Sequence, residues 1–448
     1  MKPNDQLFRK GVSRKLKEGD VRGAVRIITS EDSVAPYSPS VLSALELKHP
    51  RRPPDRRAFP TASESPLFAT EGDVIKAIKS FPVGSSGGIM RLKPQHLKEA
   101  LSSDAGNYRE RLLKQVTSLV NAILSNSLPQ VIKPVILGAN ITALNKKNGG
   151  LRPIAVGDTF RRIACKCAMR QVESALATVL MPYQLGCGVR AGIDAAVHFM
   201  RDQINSPSGK HQVFLKLDFQ NAFNTIRRDH VGECVYRHFP RLIHLFSACY
   251  QEPSFLTFGD TILLSDEGLQ RGDPLAAAYF CLGIHDIISN LNVPCKSAYL
   301  DDIALLGDPA SILNDLNDFI PKCRNIGLEL NTNKCEITTF SDPGEDFFQQ
   351  ISQQLPELQQ VKPCDVTLLG AAMGASSLDA LLNDFLRRFG VFSNSRLTLT
   401  AHDAFYLLYL TVYCYPNCCT LCEHHLPLRD LNCYAMSTLR RYSLCPPS

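Results

Sequence analysis

The sequence lacks the long apolar stretches that secreted and membrane proteins carry. The first 20 residues are polar and basic, without the apolar core of a signal peptide. The most apolar window, residues 404–415, is too short to span a bilayer. We therefore expect a soluble intracellular protein of the cytoplasm or nucleus, with no membrane partner.

Nucleotide-binding loops and repeats are missing as well. The Gly-rich loop at residues 84–88 has neither the spacing and lysine of a Walker loop nor the dinucleotide-binding fingerprint. Strand and helix patterns alternate without a fixed period, which excludes a solenoid or a propeller. Lys and Arg outnumber Asp and Glu only by 49 to 43, so the charge permits a polyanionic partner without demonstrating one. The 448 residues suffice for two or three packed units.

Cysteine, in contrast, is abundant, with 16 residues. Ten are scattered through the first 400 residues without paired spacing, as buried or free thiols would be. The other six lie in the last 48 residues, where Cys419 and Cys422 have the spacing of a zinc knuckle. A zinc site is therefore one hypothesis for the end of the chain.

Two adjacent acids stand out within residues 297–308. Asp301 and Asp302 lie between short apolar runs, a pattern that predicts two buried strands joined by a tight turn. An ordinary Asp-rich turn has the same pattern. However, neighbouring acids beside buried strands repel each other and lose hydration, which a divalent cation would relieve. Such a site needs a third carboxylate from elsewhere in the chain.

Asp218 is the candidate for this third carboxylate, because it lies at the end of the apolar strand predicted at residues 213–219. As it also precedes a predicted helix, a helix cap is the alternative. Residues 267–275 form a loop with Gly and Pro before another helix. Residues 144–154 predict a hairpin with Asn and Gly at its bend. Three cations flank this bend: Lys146, Lys147 and Arg152.

In this order the segments resemble the motifs of reverse transcriptases, in particular those of non-LTR (LINE-like) retrotransposons. The matching segments, in chain order, are the fingers hairpin ending at 151–154, motif A at 218–223, motif B at 270–274, motif C at 299–302, motif D at 327–336 and motif E at 368–370. Six motifs in the family's order cover about residues 80–375, which chance similarity does not explain. The segment 87–97 departs from the family's usual Gly-Gly-x-Asp-Gly-Leu-x-Pro form, since Ile89 and Met90 follow its glycines.

The resemblance implies an α+β fold of the right-hand polymerase type, with fingers, an antiparallel palm sheet flanked by helices, and a truncated helical thumb. The expected domains are a basic N-terminal extension and linker (1–80), fingers with part of the palm (81–213), a palm with motifs A to E (214–375) and the thumb (376–448). Within the extension, residues 48–57 are interpreted as a solvated linker or as a cationic arm for a nucleic-acid backbone.

The implied activity is that of an RNA-directed DNA polymerase, a nucleotidyltransferase that adds dNTPs to a primer 3′-hydroxyl. Its partners would be an RNA template, a DNA or RNA primer and dNTPs. In-line phosphoryl transfer uses two cations, and Mg²⁺, with Mn²⁺ as a substitute, prefers carboxylate oxygens. By the resemblance, Asp218 and Asp301 would be the main bridging ligands and Asp302 the supporting acid.

The resemblance implies roles for residues around the acids. Lys334 would protonate or steady the pyrophosphate, or else be an ordinary surface lysine. Phe223 would leave no room for a ribonucleotide's 2′-hydroxyl, or else be a plain core residue. The residues expected to contact the incoming nucleotide are Lys146, Lys147, Arg152, Phe219, Phe223 and Gln270. Those expected to contact primer or template are Gly272, Tyr299, Leu300, Leu369 and Gly370.

A frameshift explains the cysteine-rich tail better than zinc does. Residues 401–408 resemble the family's thumb, which usually continues as Ile-Pro-Lys-Leu-Leu-Tyr-Thr-Leu-Arg-Thr-Ser-Pro. One base dropped after the proline turns this continuation into residues 416–425, with their cysteines. We therefore expect a truncated, frameshifted thumb and no zinc.

Two other functions remain open. A decayed copy of a mobile element would bind nucleic acid without polymerising, as the odd tail and the altered loop at residues 89–90 suggest. An RNA-dependent RNA polymerase is disfavoured by Phe223. No endonuclease or RNase H constellation is visible in the rest of the sequence.

Overall fold

The structure, a computed structural model, describes residues 5–17, 19–29, 33–102, 107–145, 150–206 and 212–395. The chain divides into two compact units, one of residues 31–378 and one formed by the chain before and after it. The hairpin bend with Lys146 and Lys147, and the tail with its cysteines, lie outside the described residues. The expectations about them stay predictions.

The helices follow one another along the described chain with these bounds: α1 (Asp5–Lys17), α2 (Val21–Thr29), α3 (Pro39–Lys48), α4 (Glu71–Lys79), α5 (Pro94–Ala100), α6 (Asn107–Leu124), α7 (Lys133–Ile136), α8 (Thr159–Leu180), α9 (Gly192–Asn205), α10 (Ala222–Thr225), α11 (Arg228–His238), α12 (Ile243–Tyr250), α13 (Ala276–Ser289), α14 (Pro309–Asn325), α15 (Glu345–Gln354) and α16 (Ala375–Ser395). None of them is long and apolar enough to cross a bilayer.

The strands of the described chain have these bounds: β1 (Ser33–Val34), β2 (Ala139–Asn145), β3 (Leu151–Gly157), β4 (Val213–Leu217), β5 (Ser254–Phe258), β6 (Thr261–Ser265), β7 (Cys295–Tyr299), β8 (Asp302–Gly307), β9 (Glu336–Thr339), β10 (Gln359–Gln360), β11 (Thr367–Leu368) and β12 (Ala371–Ala372). Strands and helices are interspersed, which confirms the α+β class.

The sheet that carries the acids has the strand order β10-β9-β4-β8-β7. Its pairs are antiparallel, as expected for a palm, except that the short edge strand β10 runs parallel to β9. Strand β4 is central, and four of its five residues are buried. Leu215 faces the main hydrophobic core, whereas Phe214 packs on the opposite face with Leu306 and Leu368. Burial on both faces fixes the register of β4, because a slip by one residue would exchange the two faces.

A second sheet has the order β1-β2-β5-β6, with β3 paired to β2 as the predicted hairpin. Asp158 follows β3 and caps the next helix, α8. Its side chain accepts a hydrogen bond from the backbone N–H of Phe160. Helix α8 then carries eleven buried residues along its length. Helix α8 packs against α4, α6 and α13.

The interpretation of residues 48–57 as a solvated linker holds only in part, because five of the ten residues are exposed but the segment is fixed to the protein. Helix α3 ends at Lys48, and Arg52 and Arg57 behind it form ion pairs with Asp266 and Asp229. Prolines after α3 prevent a longer helix, as the sequence indicates. The arginines dock the segment onto the rest of the unit, however, which a run of cations and prolines does not reveal by itself.

Candidate active site

The ends of β4 and β8 bring the three acids together. Their register pairs Leu217 with Ile303, so the next residues outward are Asp218 and Asp302. Directly opposite residues on paired strands present their side chains on the same face. Asp301 lies in the turn between β7 and β8, directly after Leu300, whose φ is +58°. The predicted constellation of carboxylates therefore forms at one end of the sheet.

The acids carry more negative charge than their surroundings compensate. Burial raises the pKa of Asp301, and the charge of Asp218 contributes to this shift. Burial and the charges of Asp301 and Asp218 raise the pKa of Asp302 to about 6. Both shifts mean that the ionised forms are disfavoured, and a divalent cation would reverse this.

Two cations already approach the acids. Nζ of Lys334 lies 3.0 Å from Oδ2 of Asp218, which also accepts a hydrogen bond of 3.3 Å from the side chain of Asn331. Arg271 approaches Asp301, with 3.9 Å between Nη2 and Oδ2. Lys334 is thus placed at the acids, as the sequence predicts. Arg271 was missed, although it directly follows Gln270 in the motif B loop.

The carboxylates fit Mg²⁺ by their chemistry, since they offer only hard oxygen donors. Their oxygens do not all lie within 4.8 Å of one another; among the described residues, only Cys165, Cys249 and Asp273 meet that limit. Instead, Asp218 pairs with Lys334, and Asp301 lies near Arg271. Both cations are about half exposed, so a metal ion would displace them at small cost.

The cluster with Cys165 and Cys249 is a poor metal site, because its carboxylate is already saturated. Oδ2 of Asp273 accepts hydrogen bonds from Nε and Nη2 of Arg161 at 3.0 and 2.6 Å and from the hydroxyl of Tyr250 at 3.2 Å. Oδ1 accepts another from the backbone of Leu275. A metal ion would have to break a buried ion pair, which costs several kcal/mol.

The two predicted phenylalanines differ in their surroundings. Phe223 is 6% exposed, stacks on Phe280 at 4.7 Å between ring centroids, and has the guanidinium of Arg271 5.4 Å from its centroid. It therefore lies between the core and the cation that reaches Asp301. Phe219 packs in the core against Phe319, so only its backbone is left to meet a nucleotide.

The motif B loop packs against the predicted fingers hairpin. Gly272 has a φ of +112°, and a Cβ there would collide with the carbonyl oxygen of Ala155 in β3. Only glycine suits this conformation and this close approach. Strand β3 also carries Arg152, which is exposed. The amide nitrogen of Gln270 donates to Oγ of Ser254 at 2.9 Å. Arg152 and Gln270 therefore lie on neighbouring elements, while Lys146 and Lys147 fall outside the described residues.

The turn that carries Asp301 is held by a residue that the sequence did not indicate. The side chain of Gln184 accepts a hydrogen bond from the backbone N–H of Leu300 at 2.9 Å and donates to its carbonyl at 3.1 Å. Gln184 is fully buried. The only sequence signal for Gln184 is its position shortly before Gly186, whose backbone comes close to that of Leu300. This signal can be recognised only once the fold is known. Tyr299 and Leu300 are half buried at this turn.

The motif E residues lie on the other face of the sheet. Leu369 and Gly370, with φ of +51° and +81°, form the turn between β11 and β12. Leu369 packs on the cluster that contains Phe214 and Leu306. The hairpin is therefore a support beneath the acid-bearing strands, and its contact with a primer stays a prediction.

Comparisons with known proteins find one curated relative by sequence. A stretch of 237 residues is 23% identical to a protein of Trypanosoma brucei gambiense described as "Retrotransposable element SLACS 132 kDa protein", covering 50% of this chain and 20% of that protein. The chain thus spans about a fifth of the length of this curated relative.

A solved structure, described as "Structure of apo telomerase from Candida Tropicalis truncated from C-terminal domain", shares 14% identity over 49% of this chain and 55% of its own. Its TM-score of 0.34 is too low to carry an argument. The family described as "Reverse transcriptase (RNA-dependent DNA polymerase)" matches residues 144–373. Because this match covers just over half of the 448 residues, the chain belongs to the reverse transcriptase family.

Proposed function

We propose that this chain is an RNA-directed DNA polymerase of a retrotransposon, which adds dNTPs to a primer 3′-hydroxyl on an RNA template. The observation that carries the proposal is the meeting of Asp218, Asp301 and Asp302 at one end of the central sheet, within a chain of the reverse transcriptase family. The raised pKa values of Asp301 and Asp302 support it, since they mark an unmet demand for positive charge.

Asp218, Asp301 and Asp302 would hold two Mg²⁺ ions, or Mn²⁺ in their place. When bound, such ions activate the primer hydroxyl and neutralise the leaving pyrophosphate. Gln184 fixes the backbone at Leu300, so the carboxylate that follows keeps its direction. The turn that carries Asp301 is thereby held in place by hydrogen bonds.

Lys334 would serve as the general acid for the leaving pyrophosphate. Its ammonium group lies 3.0 Å from Oδ2 of Asp218, and we infer that it would transfer a proton to the pyrophosphate or steady it. Arg152 on β3 would hold the triphosphate by bidentate contact. Lys146, Lys147 and Gln270 would assist in binding the incoming nucleotide, as the resemblance implies.

Phe223 would select the sugar. Phe280 stacks on one face of the Phe223 ring, so the ring would not move aside when a nucleotide approaches it. A 2′-hydroxyl would then meet the ring, and deoxynucleotides would be preferred.

Five further residues would position primer and template: Gly272, Tyr299, Leu300, Leu369 and Gly370. The division into extension, fingers, palm and thumb at residues 80, 213 and 375 belongs to the same proposal.

The test is primer extension by the purified full-length chain. A labelled DNA primer annealed to an RNA template, with dNTPs and Mg²⁺, should give products up to the template length, and none with EDTA. The competing proposal, a decayed copy, is favoured by exposed Met90 in the altered loop at residues 87–97. It predicts binding of the primer–template without extension, and recovery of extension when the thumb reading frame is restored.

A further inference from the structure

A second ion pair lies next to the one between Lys334 and Asp218. In the register of β4 and β9, Lys216 is directly opposite Glu336, and 2.7 Å separate Nζ of Lys216 from Oε2 of Glu336. Residues two positions apart on a strand share a face, so this pair lies on the face that carries Asp218. Motif A therefore contributes the acid to the first pair and the cation to the second.

Lys216 is also a neighbour of Asp302. In the pairing of β4 with β8, Lys216 is opposite Ala304, which makes Asp302 its diagonal neighbour on the same face. Diagonal neighbours are about 7–8 Å apart at Cα, within the span of a long side chain. Burial and the neighbouring acids raise the pKa of Asp302, and the charge of Lys216 counteracts them. Lys216 thus acts electrostatically on Asp302 without being paired to it.

The three acids differ in their nearest cations. Lys334 and Arg271 lie within 4 Å of Asp218 and Asp301, respectively. In the part of the chain that the structure describes, the carboxylate of Asp302 has no cation at such a distance. Asp302 is therefore the carboxylate that the cations of the site leave open to a metal ion.

Glu336 accounts for this difference. The flexible side chain of Lys216 could extend toward either of two acids, Glu336 on β9 or Asp302 on β8. It is bound to Glu336, and both side chains of the pair are partly buried, at 21% and 29% exposure. Without the carboxylate of Glu336, the ammonium group would move to Asp302, where positive charge is in demand. A divalent cation would then have to displace it.

We propose that Glu336 is a positioning residue of the metal site, which holds the ammonium group of Lys216 away from Asp302 and thereby keeps this carboxylate available to a divalent cation. The inference rests on the proposed function, because it requires that Asp302 be a metal ligand. It gives motif D a second role at the acids, besides that of Lys334.

The test is a double-mutant cycle of full-length proteins: the wild type, Glu336→Gln, Lys216→Met and the variant with both substitutions. Glu329→Gln is the control, since Glu329 of motif D forms an exposed ion pair with Arg324. Binding of Mn²⁺ is measured by electron paramagnetic resonance without nucleotide or primer–template. Asp301→Asn identifies the bound ion that depends on the acids, and the Tm of every variant is recorded.

We expect Glu336→Gln to raise the dissociation constant for Mn²⁺ about 3-fold or more, as befits one ion pair at a partly exposed site. Lys216→Met should bind Mn²⁺ at least as tightly as the wild type, because it removes the competing cation. In the Lys216→Met background, Glu336→Gln should have little further effect. Glu329→Gln should match the wild type. A loss of structure would not be reversed by a second substitution, whereas a loss of positioning would.

Equal losses from Glu336→Gln in the two backgrounds would overturn the inference, because they would show that only the negative charge of Glu336 matters. An unchanged dissociation constant for Glu336→Gln would overturn it as well. Both outcomes leave the proposed function intact, since the wild type still binds the ion. A wild type without an ion that depends on Asp301 would instead refute the metal site, and the inference with it. No titration requires turnover, so a separate extension assay judges polymerase activity.

Discussion

Nζ of Lys334 lies 3.0 Å from Oδ2 of Asp218, an ion pair between residues 116 positions apart in the chain. They meet because β9 pairs antiparallel with β4, with Glu336 opposite Lys216. The lysine of motif D is therefore held at the acid of motif A by the sheet itself.

Replacement of this lysine should reduce the rate of nucleotide addition. General acid catalysis contributes about 10²–10⁴-fold, so Lys334→Met should lower kcat by at least ~10²-fold with little change in KM. Lys322→Met is the control, because Lys322 forms an exposed ion pair with Asp318 on α14. Steady-state extension assays measure both. An unchanged kcat for Lys334→Met would reduce Lys334 to a surface ion pair.

Removal of the Phe223 ring should admit ribonucleotides. Phe223→Ala opens space next to the sugar, so the preference for dNTPs over rNTPs should fall by ~10-fold or more. Phe280→Leu removes the stacking partner but leaves Phe223 in place, and should keep most of the preference. The ratio of kcat/KM for a dNTP to kcat/KM for the matching rNTP measures this preference in each variant. Equal discrimination in Phe223→Ala and the wild type would make Phe223 a plain core residue.

Asp302 should cost stability at neutral pH. Its pKa is about 6 in the folded protein and about 4 in an unfolded chain, so folding binds its proton more tightly. The free energy of unfolding therefore falls as the pH rises from about 4 to about 6, and the loss persists above. In EDTA, the Tm of Asp302→Asn should exceed that of the wild type by more at pH 7.5 than at pH 4.5. The same difference at both pH values would contradict this.

The buried pair of Arg161 and Asp273 should dominate the stability of the motif B loop. Both side chains are at most 1% exposed, with 2.6 Å between them. Arg161→Met leaves a buried carboxylate uncompensated and should cost about 3–5 kcal/mol in urea unfolding. Arg237→Met breaks an exposed pair with Asp286 and should cost about 1 kcal/mol or less. Similar losses in the two variants would show that burial of the pair contributes little.

The sequence was sufficient to predict that the three acids meet, because they lie at the ends of apolar strands, and strand ends are visible in the order of residues. The fold class expected from the resemblance, the right-hand polymerase type, is confirmed by the α+β architecture and the family match. The fingers hairpin was found for a similar reason, since Asn and Gly mark its bend.

Residues that act through the fold were not predictable in this way. Gln184 reaches Leu300 across 116 positions, and Arg161 reaches Asp273 across 112. A buried amide or guanidinium has no periodicity, so nothing local distinguishes it from a surface residue. The docking of residues 48–57 was not predicted for the same reason, because the partners of Arg52, Arg56 and Arg57 lie about 170 to 215 positions further along the chain.

The most direct test of the account is the rate of a single nucleotide addition by Asp301→Asn compared with the wild type, on the same RNA template and DNA primer with Mg²⁺. The substitution preserves shape but removes one ligand charge, so the rate should fall by at least ~10³-fold. Binding of the primer–template, measured in parallel, should stay within about twofold, since Asp301 would act on the reacting phosphate rather than on the duplex. Addition by Asp301→Asn at a rate near that of the wild type would contradict the assignment of the three acids as the metal-binding active site.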